Sequence, residues 1–141
     1  MEIVELLEWD SDFFGFPVAQ IFQDRLDQEG LNKVFKFCQE HQVRLLQFKC
    51  DAHHRSSVIL AEENSFHFAD IRMTYTKQLK LKERFNTFLP PGVSFRIGCI
   101  DDVPELSNMV TDLYIHSRYY FDTNFPRDDV NSFYRKWLEK S

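Results

Sequence analysis

Two short stretches of the chain carry side chains that could do chemistry. Cys50, His53 and His54 lie close together, and thiolate and imidazole groups are ligands that zinc prefers. The second stretch combines an imidazole, a hydroxyl, a guanidinium, two phenols and a carboxylate. Its candidates for binding a small-molecule substrate are His116, Ser117, Arg118, Tyr119, Tyr120 and Asp122.

The first stretch does not supply a complete zinc site. Structural zinc usually takes four ligands, and only Asp51 and His67 could add to Cys50, His53 and His54. We expect Asp51 and His67 on different elements. The sequence therefore predicts a polar turn here and no metal site.

The second stretch allows several interpretations. Adjacent residues at a helix end point in different directions, so a triad-type bond between His116 and Ser117 is not expected, and a solvated helix end is the simpler interpretation. The guanidinium of Arg118 could hold a diphosphate in a fork, or form an ordinary surface ion pair. Tyr119, Tyr120 and Phe121 could form a binding surface, or simply pack the loop.

The N-terminal elements are predicted from hydrophobic periodicity. Strands are predicted at residues 2–8, 18–22, 43–49 and 66–79, the last because Ile71, Met73 and Tyr75 alternate with polar residues. Helices are predicted at 28–41, with one apolar face, and at 56–64. The residues Trp9-Asp10-Ser11-Asp12 predict a turn. The order is ββαβαβ, an α/β arrangement.

A break separates this unit from the C-terminal residues. The polar run after residue 79 and the Pro90-Pro91-Gly92 sequence predict a linker at about residues 80–91. A strand is predicted at 93–97, a helix from Asp101 or Asp102 with Pro104 in its first turn, an aromatic loop at 115–126 and a helix at 128–140. One strand cannot cover the apolar faces of two helices, so this core is expected to be incomplete.

Composition narrows the class of protein. The net charge is -5 and no basic stripe is visible, so a nucleic-acid-binding protein is not expected. The 15 Phe are better explained by an aromatic core than by a base-stacking surface, and Trp9 and Trp137 are expected in the core. Three cysteines, an acidic N-terminus and no apolar run approaching ~20 residues predict a cytoplasmic protein that makes no membrane contact.

Three motifs carry a resemblance to a known family. Trp9-Asp10-Ser11-Asp12-Phe13-Phe14-Gly15 resembles the Trp-Asp/Glu-x-x-Phe-Phe-Gly opening of the two-domain TDP-fucosamine N-acetyltransferases, members of the GNAT superfamily. His116-Ser117-Arg118-Tyr119 and Phe133-Tyr134-Arg135-Lys136-Trp137 resemble that family's Ser-Arg-Phe and Phe-Tyr-x-x-Trp elements. Residues 93–140 resemble the opening of a GNAT fold, with its first strand and polar turn at residues 95–104. The family's Leu-Gly-Phe turn corresponds to Asn64-Ser65-Phe66, where Ser65 replaces the glycine.

The resemblance implies different roles for the two parts of the chain. Residues 1–79 would be an accessory domain and residues 92–141 the start of an acetyltransferase domain. The six residues between 116 and 122 named above would bind the acceptor, an amine such as an amino sugar or a nucleotide-linked amino sugar, which attacks acetyl-CoA directly. The family holds the pyrophosphate of acetyl-CoA in a Gln/Arg-x-x-Gly-x-Gly/Ala loop, and none of the four glycines here stands in that pattern.

The resemblance therefore predicts that this chain binds an acceptor and does not catalyse acetyl transfer alone, since it supplies neither cofactor-binding nor catalytic residues. The alternative is a stand-alone module, derived from such an enzyme, that binds a ligand or dimerises. In either case the exposed helix faces predict a homodimer.

Overall fold

The computed structural model describes residues 3–78 and 89–140. The described chain is mixed α/β, with one three-stranded sheet and six α-helices. It divides into two compact units, of which unit 1 ends at Phe68 and unit 2 begins at Ala69. Residues 80–88 of the predicted linker lie outside the described residues. No helix in the described ranges has both the length and the apolar character needed to cross a bilayer.

Unit 1 alternates strands and helices. Its elements are β1 (Val4–Leu6), α1 (Glu8–Phe14), β2 (Val18–Ile21), α2 (Gln28–Glu40), β3 (Leu45–Phe48) and α3 (Arg55–Glu63). The sheet order is β1-β2-β3, with β2 antiparallel to β1 and parallel to β3. Val4 lies opposite Ile21, and Val18 lies opposite Leu45. The central strand β2 is the most buried of the three, with three of its four residues buried.

The predicted helix at residues 28–41 is confirmed as α2. Asp27 caps it by accepting a hydrogen bond from Gly30 N at 2.8 Å. Leu31 and Val34 are fully buried against the sheet, whereas Phe35, on the same predicted face, is exposed. The core of unit 1 is therefore built where the apolar side of α2 meets β1 and β2.

The predicted turn at Trp9-Asp10-Ser11-Asp12 is wrong, because these residues lie in helix α1. Ser11 Oγ donates to Leu7 O at 2.7 Å and accepts from Val18 N at 2.9 Å. The hydroxyl thus satisfies the backbone at both ends of the connection from β1 to β2. Gly15, at φ 71°, ends the helix in the left-handed region that favours glycine.

Two predicted strands are absent from the described residues. Residues 66–78 of the predicted strand at 66–79 have no regular hydrogen bonding, and neither do residues 93–97. Alternation of apolar and polar side chains gives an extended segment one apolar face. A β-strand also needs a neighbouring strand with which it forms backbone hydrogen bonds. The described order of unit 1 is therefore βαβαβα and not the predicted ββαβαβ.

Unit 2 is helical. A single 3-10 turn (Ile100–Asp102) leads into α4 (Val103–Leu113), followed by α5 (Arg118–Phe121) and α6 (Arg127–Lys140). Its buried residues are Val110, Tyr119, Val130, Phe133 and Tyr134. On α4 the apolar residues Leu106, Met109 and Leu113 are exposed. Trp137 is also exposed, so its prediction as a core residue is wrong.

Candidate functional site

The six predicted binding residues lie in and beside the short helix α5, between α4 and α6. Ser117 occupies the N-cap position, and its backbone carbonyl accepts from Tyr120 N and Phe121 N at 3.0 Å. The N–H of Ser117 itself donates to Tyr114 O at 2.8 Å. These bonds fix the backbone of the loop, and with it the directions of the side chains.

Two of the six residues have structural roles. Tyr119 is only 1% exposed and packs edge-on against Phe125 and Phe133, with ring centroids 5.3 and 4.8 Å away. Asp122 Oδ1 accepts from the backbone and side-chain nitrogens of Asn124, at 2.9 and 2.7 Å, and so forms the turn after α5. Tyr119 therefore belongs to the core of unit 2, and Asp122 stabilises the loop.

A set of stacked rings lies beside this loop. Tyr134 is sandwiched between Tyr114, whose centroid is 4.7 Å away, and Tyr120, whose centroid is 6.0 Å away, with all three planes nearly parallel. Trp137 meets Tyr114 edge-on at 6.2 Å. The phenol of Tyr120 donates to Asn131 Oδ1, which holds that ring in place. We call Tyr114, Tyr120, Tyr134 and Trp137 the aromatic stack.

Two polar atoms next to the stack have no hydrogen-bond partner within residues 3–78 and 89–140. They are Ser117 Oγ and Arg118 Nε, and both are buried. The Arg118 guanidinium lies over the Tyr119 ring, with Cζ 4.7 Å from its centroid. A buried polar group without a partner costs about 1–3 kcal/mol, and more when it is charged. Ligand oxygens placed here would remove that cost.

The pKa of the Tyr134 phenol is affected by both Ser117 and Arg118. Burial raises the pKa of the Tyr134 phenol, while Ser117 and the positive charge of Arg118 act in the opposite direction. Ser117 Oγ is thus close enough to the Tyr134 hydroxyl to lower its pKa, although it has no hydrogen-bond partner among the described residues by distance and angle. Tyr134 is a neutral phenol near neutral pH and can donate a hydrogen bond.

The structure thus brings three of the six predicted residues to one place: Ser117, Arg118 and Tyr120. His116 is exposed, and Tyr119 and Asp122 serve the fold. Sequence reasoning missed the part played by Tyr114 and Tyr134, because the binding candidates in the sequence all lie between residues 116 and 122. The spacing of Tyr134 and Trp137, three apart on one helix face, was the available signal.

The Cys50–His54 stretch is held by structural hydrogen bonds. Asp51 pairs with Arg25 at 2.8 Å and accepts from His53 N at 2.9 Å, and these contacts lower the pKa of the Asp51 carboxyl. Ser57 Oγ, fully buried, accepts from Leu26 N at 2.7 Å and donates to Leu26 O at 2.9 Å. Its single proton is then used, so His54 Nδ1 must be the donor in their 2.8 Å contact.

Two of the described glycines and three of the described helix N-termini do not fit the pyrophosphate of acetyl-CoA. Gly15 ends a helix, and a Cβ on Gly30 would lie 3.0 Å from Leu26 Cδ1, so Gly30 serves helix packing. Helices α2, α4 and α6 carry acidic residues in their first turns, which would repel an anion.

The predicted first turn of the acetyltransferase unit is tied by an ion pair. Arg96 Nη1 and Nη2 donate to the two carboxylate oxygens of Asp102 at 2.6 and 2.5 Å, and Cys99 N donates to Asp102 at 2.8 Å. Arg96 and the Cys99 N–H hold the pKa of the Asp102 carboxyl far below its usual range. Asp102 therefore anchors the residues before α4 and does not cap α4 with its side chain.

This ion pair predicts a pH dependence for unit 2. Because the folded pKa of Asp102 is depressed, its stabilising effect is present above the unfolded value of about 3.9 and is lost as pH falls below it. We expect Asp102→Asn to be destabilising at about pH 7, and the difference from wild type to shrink at about pH 3. The effect should be small because Arg96 is exposed. Urea unfolding at both pH values measures it.

The neighbouring variant Asp101→Asn is the matched control. Asp101 is exposed and has the same charge, so its substitution should change stability little at either pH. Equal pH profiles for the two variants would contradict the assignment of the effect to Asp102.

Comparison with protein-family models, curated proteins and solved structures finds no match to this chain.

Proposed function

We propose that this chain is the acceptor-binding, N-terminal part of an acetyl-CoA-dependent N-acetyltransferase that acts on an amine. The acceptor would be an amino sugar or a nucleotide-linked amino sugar. The single observation that carries the proposal is the pair of buried, unpartnered polar atoms, Ser117 Oγ and Arg118 Nε, beside the aromatic stack. The resemblance to the two-domain TDP-fucosamine N-acetyltransferases implies an acceptor site in this same loop.

The chemistry of the pair suits such a ligand. A guanidinium donates planar, charge-assisted hydrogen bonds to phosphate or carboxylate oxygens, and Nε is one of its donors. Ser117 Oγ can donate to or accept from a sugar hydroxyl. Neutral Tyr134 adds a donor near both groups. These three residues would hold and orient the acceptor.

The aromatic stack suits the apolar parts of the same ligand. The rings of Tyr114, Tyr120 and Tyr134 are nearly parallel, and Trp137 is exposed beside them. Sugars and nucleotide bases both pack on such faces, so a polar group and a flat group of one ligand can be held together. Acetyl-CoA would supply the thioester that the bound amine attacks. In this proposal the described residues bind the acceptor and leave thioester activation to others.

The proposal predicts that Arg118→Ala weakens acceptor binding by roughly ten- to a hundredfold, the value of a lost hydrogen bond to a charged group. The probe is a nucleoside-diphosphate-linked amino sugar, titrated calorimetrically into the 141-residue chain. Arg118→Lys keeps the charge but loses the fork, so an intermediate affinity is expected.

Arg135→Ala is the matched control, because Arg135 is exposed on α6 and its loss changes the net charge equally. Circular dichroism checks that each variant stays folded. Binding that is absent in the wild type, or equal losses for Arg118→Ala and Arg135→Ala, would contradict the proposal. So would turnover of acetyl-CoA by the chain alone.

A second candidate function is a stand-alone dimerisation module derived from such an enzyme. The observation in its favour is the exposed apolar face of α4, formed by Leu106, Met109 and Leu113. Tight self-association without any affinity for the sugar nucleotide would favour this function.

A further inference from the structure

The first residues of unit 2 expose an alternating apolar surface. We call residues 69–76 the ribbon segment. Within it Ile71, Met73 and Tyr75 are 72%, 65% and 83% exposed. Between them stand Arg72 and Thr74, so one side of an extended chain here would be apolar and the other polar. Large, exposed apolar side chains at this spacing indicate an interaction surface.

The backbone of the ribbon segment has no hydrogen-bond partner in the part of the chain that the structure describes. Alternating, unpaired chain of this kind is the template on which another strand adds. A two-stranded ribbon is marginal in water by itself, and becomes stable when its apolar face packs on a helix.

Unit 2 contains such a helix. The face of α4 formed by Leu106, Met109 and Leu113 is exposed, while Val110 on the same helix is buried in the core. Unit 2 therefore has an exposed apolar helix face and an exposed segment with apolar side chains at strand spacing. Each is an apolar surface on which the other can pack.

We propose that the ribbon segment pairs antiparallel with the ribbon segment of a second copy of this chain, and that the two-stranded ribbon covers the exposed face of α4 in each copy. Self-pairing is favoured by the register. With the twofold axis at Met73, Ile71 lies opposite Tyr75, and Met73 lies opposite its own copy. All three apolar positions then match apolar positions.

The charges are compatible with this register. With the axis at Met73, Arg72 faces Thr74 and Asp70 faces Thr76, so no like charges meet. An axis at Arg72 would oppose two guanidiniums, which is destabilising. An axis between Met73 and Thr74 would place Ile71 opposite Thr76 and mix the apolar and polar faces. The segment is thus self-complementary, as an interface related by a twofold axis requires.

The apolar surface available for this contact belongs to six side chains. The three of the ribbon segment and the three of α4 are between 38% and 83% exposed, so covering them removes apolar surface from water. The ladder hydrogen bonds of the ribbon add to that contact.

The first test is molar mass by light scattering over a wide range of concentration. Wild type should be a dimer that dissociates on dilution. Met73→Asp places two carboxylates opposite each other at the axis and removes two apolar side chains, so the dimer should weaken at least about tenfold. Because Met73 is exposed, the helical circular dichroism of the monomer should be unchanged.

Thr74→Asp is the matched control in the same segment. It faces Arg72 of the other copy, so the dimer should be as tight as wild type or tighter. A wild type that is monomeric at all concentrations would overturn the proposal, as would a dimer that Met73→Asp leaves intact or that Thr74→Asp disrupts equally.

Cross-linking tests the register directly. In a background where exposed Cys99 is replaced by Ser, Met73→Cys should form a disulfide-linked dimer on mild oxidation, because the two side chains meet at the axis. Thr74→Cys should not, because it faces Arg72. Equal cross-linking of the two variants would contradict the register. Neither result depends on acceptor binding.

Discussion

Ser57→Ala is expected to lower the free energy of unfolding of unit 1 by about 2–4 kcal/mol. The Ser57 hydroxyl is fully buried and serves both backbone groups of Leu26. Its removal leaves a buried N–H and a buried C=O without that partner, and takes the acceptor from His54 Nδ1. The new methyl group cannot replace any of these bonds.

The measurement can be confined to unit 1. The chain has two tryptophans, Trp9 in unit 1 and Trp137 in unit 2. In a Trp137→Phe background, the fluorescence of Trp9 reports urea unfolding of unit 1 alone. Ser56→Ala removes the same atom from an exposed neighbour on α3 and should change stability by less than about 0.5 kcal/mol. Similar losses for Ser56→Ala and Ser57→Ala would refute the bridging role.

Tyr119→Ala is expected to destabilise unit 2 by about 3–5 kcal/mol, since it empties the space between Phe125, Phe133 and Arg118. Tyr119 is the largest fully buried side chain of the described residues, and the rings around it cannot close a gap of that size. Trp137 fluorescence in a Trp9→Phe background reports the unfolding of this unit.

Phe121→Ala is the control for Tyr119→Ala. Phe121 lies on the same short helix but is exposed, so its loss should cost about 1 kcal/mol or less. A Tyr119→Ala variant that keeps wild-type stability and loses only acceptor binding would show that Tyr119 is a ligand contact and not a core residue.

The helices with a clear apolar face could be predicted from sequence, and the reason is physical. In α2 and α6 the apolar spacing and the flanking polar residues all favour a helix, and both lie within one or two residues of the predicted bounds. Helix α1 was missed because Asp10, Ser11 and Asp12 are common in turns. Only the structure reveals that Ser11 Oγ is used twice, by Leu7 O and Val18 N.

Strands were predicted less well, because pairing is not encoded in one segment. Residues 18–22 became β2, since β1 and β3 lie on either side of it. The better alternation at Ile71, Met73 and Tyr75 has no neighbour among the described residues. A period-two pattern specifies which face is apolar, while the existence of a partner strand depends on the rest of the fold or on another chain.

The candidate site was predicted in part. Ser117 and Arg118 were found because they stand in a polar loop with a recognisable motif. Their lack of hydrogen-bond partners could not be predicted, since it depends on what packs around Ser117 Oγ and Arg118 Nε. The sandwich of Tyr134 between Tyr114 and Tyr120 joins three separate elements, and no local pattern reveals such a contact.

The sheet of unit 1 has a consequence for the order of events during synthesis. Its ladders join residues that are near in the chain, Val4 to Ile21 and Val18 to Leu45, and its buried hydroxyl at Ser57 reaches back to Leu26. All of these partners precede Phe68, where unit 1 ends. Once that stretch has left the ribosome, the strand pairs and the Ser57–Leu26 hydrogen bonds can form, and the short separations favour rapid closure. Unit 1 would then fold while the ribosome is still synthesising the helices of unit 2.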